Sequence, residues 1–154
     1  MGSAENKKLI QEAFVSWAND DSMVFFKLLT DTASWAVRGT CPISGTYMDR
    51  ERLIADALTP QRAKLAGSPT PTVLNLIVER DAVVIQWMGK GTTKTGQPYN
   101  NSYCYVVQME NGRITRETAY LDTELVRAIC AQSGSILVAF ASWIGLAVRA
   151  KGCK

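Results

Sequence analysis

The chain reads as an α+β fold with helices laid on one face of a curved, antiparallel sheet. Three features predict it. Apolar residues early in the chain recur at three- and four-residue spacing, from Thr72 onward the spacing changes to two, and Asn111-Gly112 separates two long alternating runs. That dipeptide suits a type I′ hairpin turn, whose central residues both need positive φ.

Taken in order, Leu9, Ile10, Ala13, Phe14 and Trp17 form the buried stripe of a first helix, which starts near Ser3 to Asn6 and stops at Asn19-Asp20-Asp21. A second helix spans residues 22–29, with Val24, Phe25, Leu28 and Leu29 inward. Residues 34–38 read as a short strand and residues 39–45 as a loop. Asp49 is placed to cap a third helix through Leu53, Ile54 and Leu58, which Thr59-Pro60 ends or bends. Residues 67–71 are a loop rich in turn formers. Strands follow over 72–79 and 82–90, joined at Arg80-Asp81, and then the hairpin that begins at Tyr99. Residues 123–132 complete the body as a helix.

In the hairpin, Asn101, Tyr103, Tyr105, Val107 and Met109 share one face at period two. On the return strand, Arg116, Thr118, Tyr120 and Asp122 alternate with Thr115, Glu117, Ala119 and Leu121. Two tyrosines and an asparagine beside a strand that ends in Asp122 fit the lining of a partly polar cavity. An ordinary half-buried hairpin fits equally well.

Bulk properties narrow the function. At 154 residues and 47% hydrophobic, one globular domain is expected. Through Gln132 the Lys/Arg and Asp/Glu counts are equal, at 14 each, so the body is neutral and lacks the basic stripe of a nucleic-acid binder. The chain has no histidine and its four cysteines are scattered, which leaves no ready metal site and no histidine-based triad. No cofactor is expected. The start has no apolar leader, which points to a reducing cytoplasmic setting.

The domain is expected over residues 1–132, followed by an extension over residues 133–154. Within it residues 136–148 are 13 uncharged, mostly apolar positions, about 20 Å as a helix. A membrane span needs roughly 20 such residues. The extension is therefore read as an apolar helix packed on the body or a partner, or as a weak membrane contact with Arg149, Lys151 and Lys154 at the headgroups.

The stretches WAVRGTCPISGTYMDRERL (residues 35–53) and GQPYNNSYCYVVQMENGRITRETAYLDTELV (residues 96–126) resemble the SnoaL-like, ketosteroid-isomerase-like branch of the nuclear transport factor 2-like superfamily. The match runs in order over roughly residues 7–128, through Trp-x-x-x-Gly, Ser-Gly-x-Tyr, Gly-x-x-Tyr, Asn-Gly-Arg-Ile and a closing Tyr-x-Asp. This resemblance implies a cone-shaped α+β barrel with an apolar pocket at one end, and a homodimer formed through the convex face. It also implies isomerase, cyclase, dehydratase or epoxide-hydrolase chemistry, or binding without catalysis.

Carried over by position, the steroid-isomerase base falls near Val37, its first-helix tyrosine near Ala13 or Phe14, and its protonated aspartate near Tyr105, so that mechanism is not expected. The arginine and second aspartate of epoxide hydrolases have no match within residues 83–90. The aspartate that cyclases carry at the end of the last strand matches Asp122. The expected catalytic set is thus Asp122 with Tyr105 or Tyr103 as hydrogen-bond donor. Asp122 is also well placed to cap the helix that follows it. Trp35, Arg38, Tyr47, Trp87, Met88, Asn101 and Tyr120 are the expected substrate contacts for a flat, apolar polyketide- or terpenoid-like molecule.

Overall fold

The computed structural model describes residues 2–131, in which a single six-stranded sheet has the order β2-β1-β6-β5-β4-β3. Helices α1 (Ser3–Ala18) and α2 (Met23–Lys27) precede β1 (Leu29–Val37) and the short β2 (Gly45–Tyr47). Next come α3 (Arg50–Arg52), a π-helical segment (Leu53–Leu58) and α4 (Thr59–Arg62). Strands β3 (Thr70–Glu79), β4 (Ala82–Thr92), β5 (Pro98–Glu110) and β6 (Arg113–Leu121) form a meander, closed by α5 (Thr123–Ala131). This is the α+β cone anticipated above. β2 and β3 remain as separate edges, so the sheet curves without closing. The apolar extension expected over residues 133–154 lies outside the described residues.

Three details differ from the reading of the sequence. β1 begins at Leu29, and it runs parallel to β6, so the sheet is mixed rather than wholly antiparallel. The loop read over residues 39–45 ends in an edge strand, β2, which pairs antiparallel with β1 at Trp35↔Tyr47. Thr59-Pro60 does not stop the third helix. A proline clashes with the carbonyl four residues back and cannot donate to it. The preceding π segment widens the turn at that point, and the helix continues to Arg62. Asp49 caps this helix as expected, accepting a 2.7 Å bond at Oδ1 from the Arg52 N–H.

The decisive detail is in the hairpin. Asn111 (φ 50°) and Gly112 (φ 75°) make the predicted turn, and Met109 pairs with Ile114. Gln108, however, pairs with Arg116, so Thr115 is an extra residue on β6. A single-residue bulge moves every later side chain to the opposite face. Tyr105 therefore sits opposite Ala119 rather than Thr118, and Val107 sits opposite Glu117 rather than Arg116. Glu117 and Ala119 turn inward at 0% and 2% exposure, while Tyr120 is half exposed on the convex face.

The concave face is packed with aromatic rings. Phe14 and Trp17 from α1, Phe25 and Phe26 from α2, Trp35 from β1, Trp87 from β4 and Tyr105 from β5 make a continuous chain of ring contacts. Each such side chain contributes about 1.5–3 kcal/mol on burial, so this cluster is the main adhesive between helices and sheet.

Candidate functional site

Where the helices meet the concave sheet, a narrow cleft of about 40 Å³ separates α1, α2 and α4 from β4 and β5. Trp17, Phe26 and Trp87 form its apolar walls, and Gln61, Arg62, Ser68, Tyr103 and Tyr105 supply its polar atoms. A larger groove of about 400 Å³ between α1 and β3 has Gln11 as its only polar side chain. It offers volume but almost no chemistry. The cleft is far smaller but holds the polar groups.

Tyr103 is held rigidly. Its ring stacks on Trp87 at 3.9 Å with an interplanar angle of 7°. Gly89 makes room for the pair, because a Cβ there would stand 3.1 Å from each ring. The Tyr103 hydroxyl lies 3.2 Å from that of Tyr99, a fully buried residue. Tyr99 Oη in turn accepts N–H bonds from Gln61 Nε2 (2.7 Å) and Asn101 Nδ2 (3.2 Å). A phenolic oxygen has two lone pairs and one proton. With both lone pairs occupied by amide donors, the Tyr99 proton is directed to Tyr103 Oη, and the Tyr103 proton is left for the cleft. Burial pushes the Tyr103 and Tyr105 hydroxyls well above the usual phenol range, which keeps them as donors.

Asn101 anchors this chain at its other end. Its Oδ1 accepts from the Asp122 backbone N–H (3.0 Å) and its Nδ2 donates to the Asp122 carbonyl (3.1 Å). These two bonds define which end of the amide faces which way. Asp122 itself is exposed, and its Oδ1 accepts from the N–H groups of Glu124 (3.0 Å) and Leu125 (3.2 Å). The backbone of Asp122 is thus tied to the site, while its carboxylate caps α5.

The carboxyl group inside the cone belongs to Glu117. It is fully buried, and neither oxygen meets a hydrogen-bond donor among the described residues. Loss of solvation holds this carboxyl well above the ordinary carboxylate range, so it is neutral over the acidic side of that shifted value. Tyr105 links it to the cleft: the ring lines the cleft, and its hydroxyl feels the charge that Glu117 would carry.

Of the residues expected from sequence, the structure brings Trp87, Tyr103 and Tyr105 to the cleft, with Asn101 behind them. Trp35 is buried in the core against Tyr105. Tyr47 donates to the Ile43 carbonyl at 2.8 Å, beside β2. Arg38 is exposed at the end of β1, and Met88 and Tyr120 lie on the convex face at 43% and 50% exposure. These last three do not line the cleft. For Tyr120 the cause is the bulge at Thr115, and for Met88 it is the alternation that turns its neighbour Trp87 inward.

Tyr99, Gln61, Arg62 and Glu117 were not read as site residues. Tyr99 shares the parity of Asn101, Tyr103 and Tyr105, so its side of the sheet was open to inference. Gln61 and Arg62 were hidden by a proline that looked like a helix end. Among the described residues no three His, Cys, Asp or Glu side chains converge as a metal site, and no helix is long and apolar enough to cross a membrane.

Several solved structures share this architecture. Bal32a, from a soil-derived mobile gene cassette, is 18% identical with a TM-score of 0.69, over 82% of this chain and 97% of that one. A candidate isomerase from Bacillus subtilis is 20% identical with a TM-score of 0.64, over 85% and 96%. A candidate SnoaL-like polyketide cyclase from Jannaschia sp. CCS1 is 17% identical with a TM-score of 0.62, over 78% and 87%. At these identities the likeness is one of fold. No curated protein sequence matches the chain. The SnoaL-like domain family matches residues 10–117, well over half the chain. The chain belongs to the SnoaL-like domain family.

Proposed function

We propose that this protein is a cofactor-independent acid–base enzyme, an isomerase, cyclase or dehydratase, acting on a flat apolar molecule of polyketide or terpenoid type. The observation that carries this reading is the buried, desolvated carboxyl of Glu117 coupled to Tyr105, which lines the cleft with Tyr103. A carboxyl held neutral is a proton donor, and the carboxylate it leaves behind, starved of water, is a strong acceptor. Donation at one atom and removal at another is what a double-bond shift or an elimination of water requires. Tyr103, with its proton free for the cleft, and Tyr105 donate to the oxygen on which negative charge develops. Glu117 does not line the cleft, and its coupling to the cleft runs through the Tyr105 hydroxyl.

The exposed apolar side chains Ile77, Met88, Val106 and Tyr120 on the convex face support pairing with a second copy of the chain, which sedimentation velocity reads directly. The test of the chemistry is deuterium incorporation from D₂O into a panel of unsaturated aromatic ketones with and without a carboxylate, followed by NMR. Exchange should fall about a hundredfold or more in Glu117→Gln, fall less in Tyr103→Phe, and persist in Asp122→Asn. Loss in Asp122→Asn with retention in Glu117→Gln would return the catalytic role to Asp122. Ligand-induced shifts without any exchange would make the cleft a binding site alone.

A further inference from the structure

We infer that Arg62 is the receptor for an anionic group, a carboxylate, on the molecule that occupies the cleft, so that the ligand is a flat apolar acid rather than a neutral hydrocarbon or ketone. This rests on the cleft being the ligand site. Arg62 ends α4 and lines the cleft beside Phe26, Trp17 and Tyr105. Its guanidinium is half-buried, lies 5.5 Å above the Phe26 ring, and donates from Nη2 to Ser22 Oγ (2.9 Å) and from Nη1 to Met23 Sδ (3.6 Å).

Those contacts orient the group without neutralising it. Among the described residues no carboxylate lies within 4.0 Å of Arg62, whereas Arg50, Arg52 and Arg127 each have one. Glu117, the buried carboxyl among the described residues, makes no ion pair with Arg62, and burial disfavours its charge. A guanidinium carries five N–H donors, and its two bonds leave part of the fork unspent. Burial also disfavours its charge, as the lowered pKa of Arg62 reflects. A desolvated cation without a partner is costly, and a charge-assisted bond to a carboxylate is the contact that recovers the cost.

The shape of the site agrees. The Phe26 ring lies against the guanidinium, and Trp17, Trp87 and Tyr103 line the same cleft. A flat ligand that parts these walls would set its acid on Arg62 and a second oxygen toward Tyr103. Arg38, the arginine among the substrate contacts expected from the sequence, is exposed at the end of β1 and does not line the cleft.

The test compares trans-cinnamate with cinnamyl alcohol, a neutral molecule of the same skeleton, by isothermal titration and by fluorescence of the cleft tryptophans. Wild-type protein should bind cinnamate at least about tenfold more tightly than the alcohol. Arg62→Gln, which still has an amide to offer Ser22, should abolish the preference, with cinnamate losing far more affinity than the alcohol. Arg62→Lys should restore part of it, since it keeps the charge and loses the fork. Equal binding of acid and alcohol by wild type, or a preference that survives Arg62→Gln, overturns the inference about Arg62 while leaving the cleft intact. Failure of wild type to bind either molecule removes the cleft itself. Should Arg62→Gln not fold, the wild-type preference and its loss in high salt decide the matter, because a charge-independent preference would not weaken with salt.

Discussion

Replacing Glu117 by Gln should change how stability depends on pH far more than it changes stability at acid pH. Below the ordinary carboxylate range the side chain is neutral in both the folded and unfolded chains. There the variant exchanges one uncharged polar group for another of similar size. Above that range the unfolded chain releases its proton, while the folded chain keeps it because the carboxyl is fully buried and no donor among the described residues reaches it. The folded state then binds one more proton than the unfolded state, so stability falls as pH rises, until pH passes the raised pKa of the buried group. Its contribution is therefore fully present below the unfolded pKa and lost on the way up to the folded one. One proton corresponds to about a tenfold change in the folding equilibrium per pH unit, or ~1.4 kcal/mol. Urea unfolding followed by tryptophan fluorescence, at intervals from about pH 5 to about pH 8, reads this directly. The difference between wild type and Glu117→Gln should grow with pH in favour of the variant. Two curves that run parallel across this window would mean that Glu117 is solvated or paired, and the acid–base reading would lose its main support.

Four further outcomes follow from the geometry. Asn101→Ala removes the clamp on both backbone groups of Asp122 and one donor to Tyr99, and should cost roughly 3 kcal/mol in chemical denaturation. Deleting Thr115 removes the bulge but preserves every later pairing, so the protein should fold within about 2 kcal/mol of wild type and keep the pH dependence due to Glu117. Deleting Thr118 instead would turn Ala119 outward and Tyr120 inward, and should abolish cooperative unfolding. Gly39→Ala places a Cβ 2.6 Å from Thr123 Cγ2 at a φ of +111°, and a loss of about 1–3 kcal/mol in thermal unfolding is expected.

Much of the fold was legible because it rests on local patterns. The spacing of Ile10, Ala13, Phe14 and Trp17 specifies a helix face, and these residues are buried as that face requires. Asn111-Gly112 adopts the positive φ values that its composition favours. The parity of Asn101, Tyr103 and Tyr105 placed them together, and they remain together around the cleft and its hydrogen-bonded chain. The parallel pairing of β1 with β6 was not legible, because it joins residues some eighty positions apart and leaves no local signature.

What the sequence by itself determined is the order of helices and strands and the identity of the rings that bind them, since periodicity and turn chemistry are properties of neighbouring residues. What only the tertiary structure decided is which carboxyl group faces inward. Period two is an alternation with no absolute origin, and one unpaired residue at Thr115 shifts that origin by half a cycle. Glu117 is thereby carried into the dry interior, and Tyr120 and the Asp122 carboxylate are left at the surface.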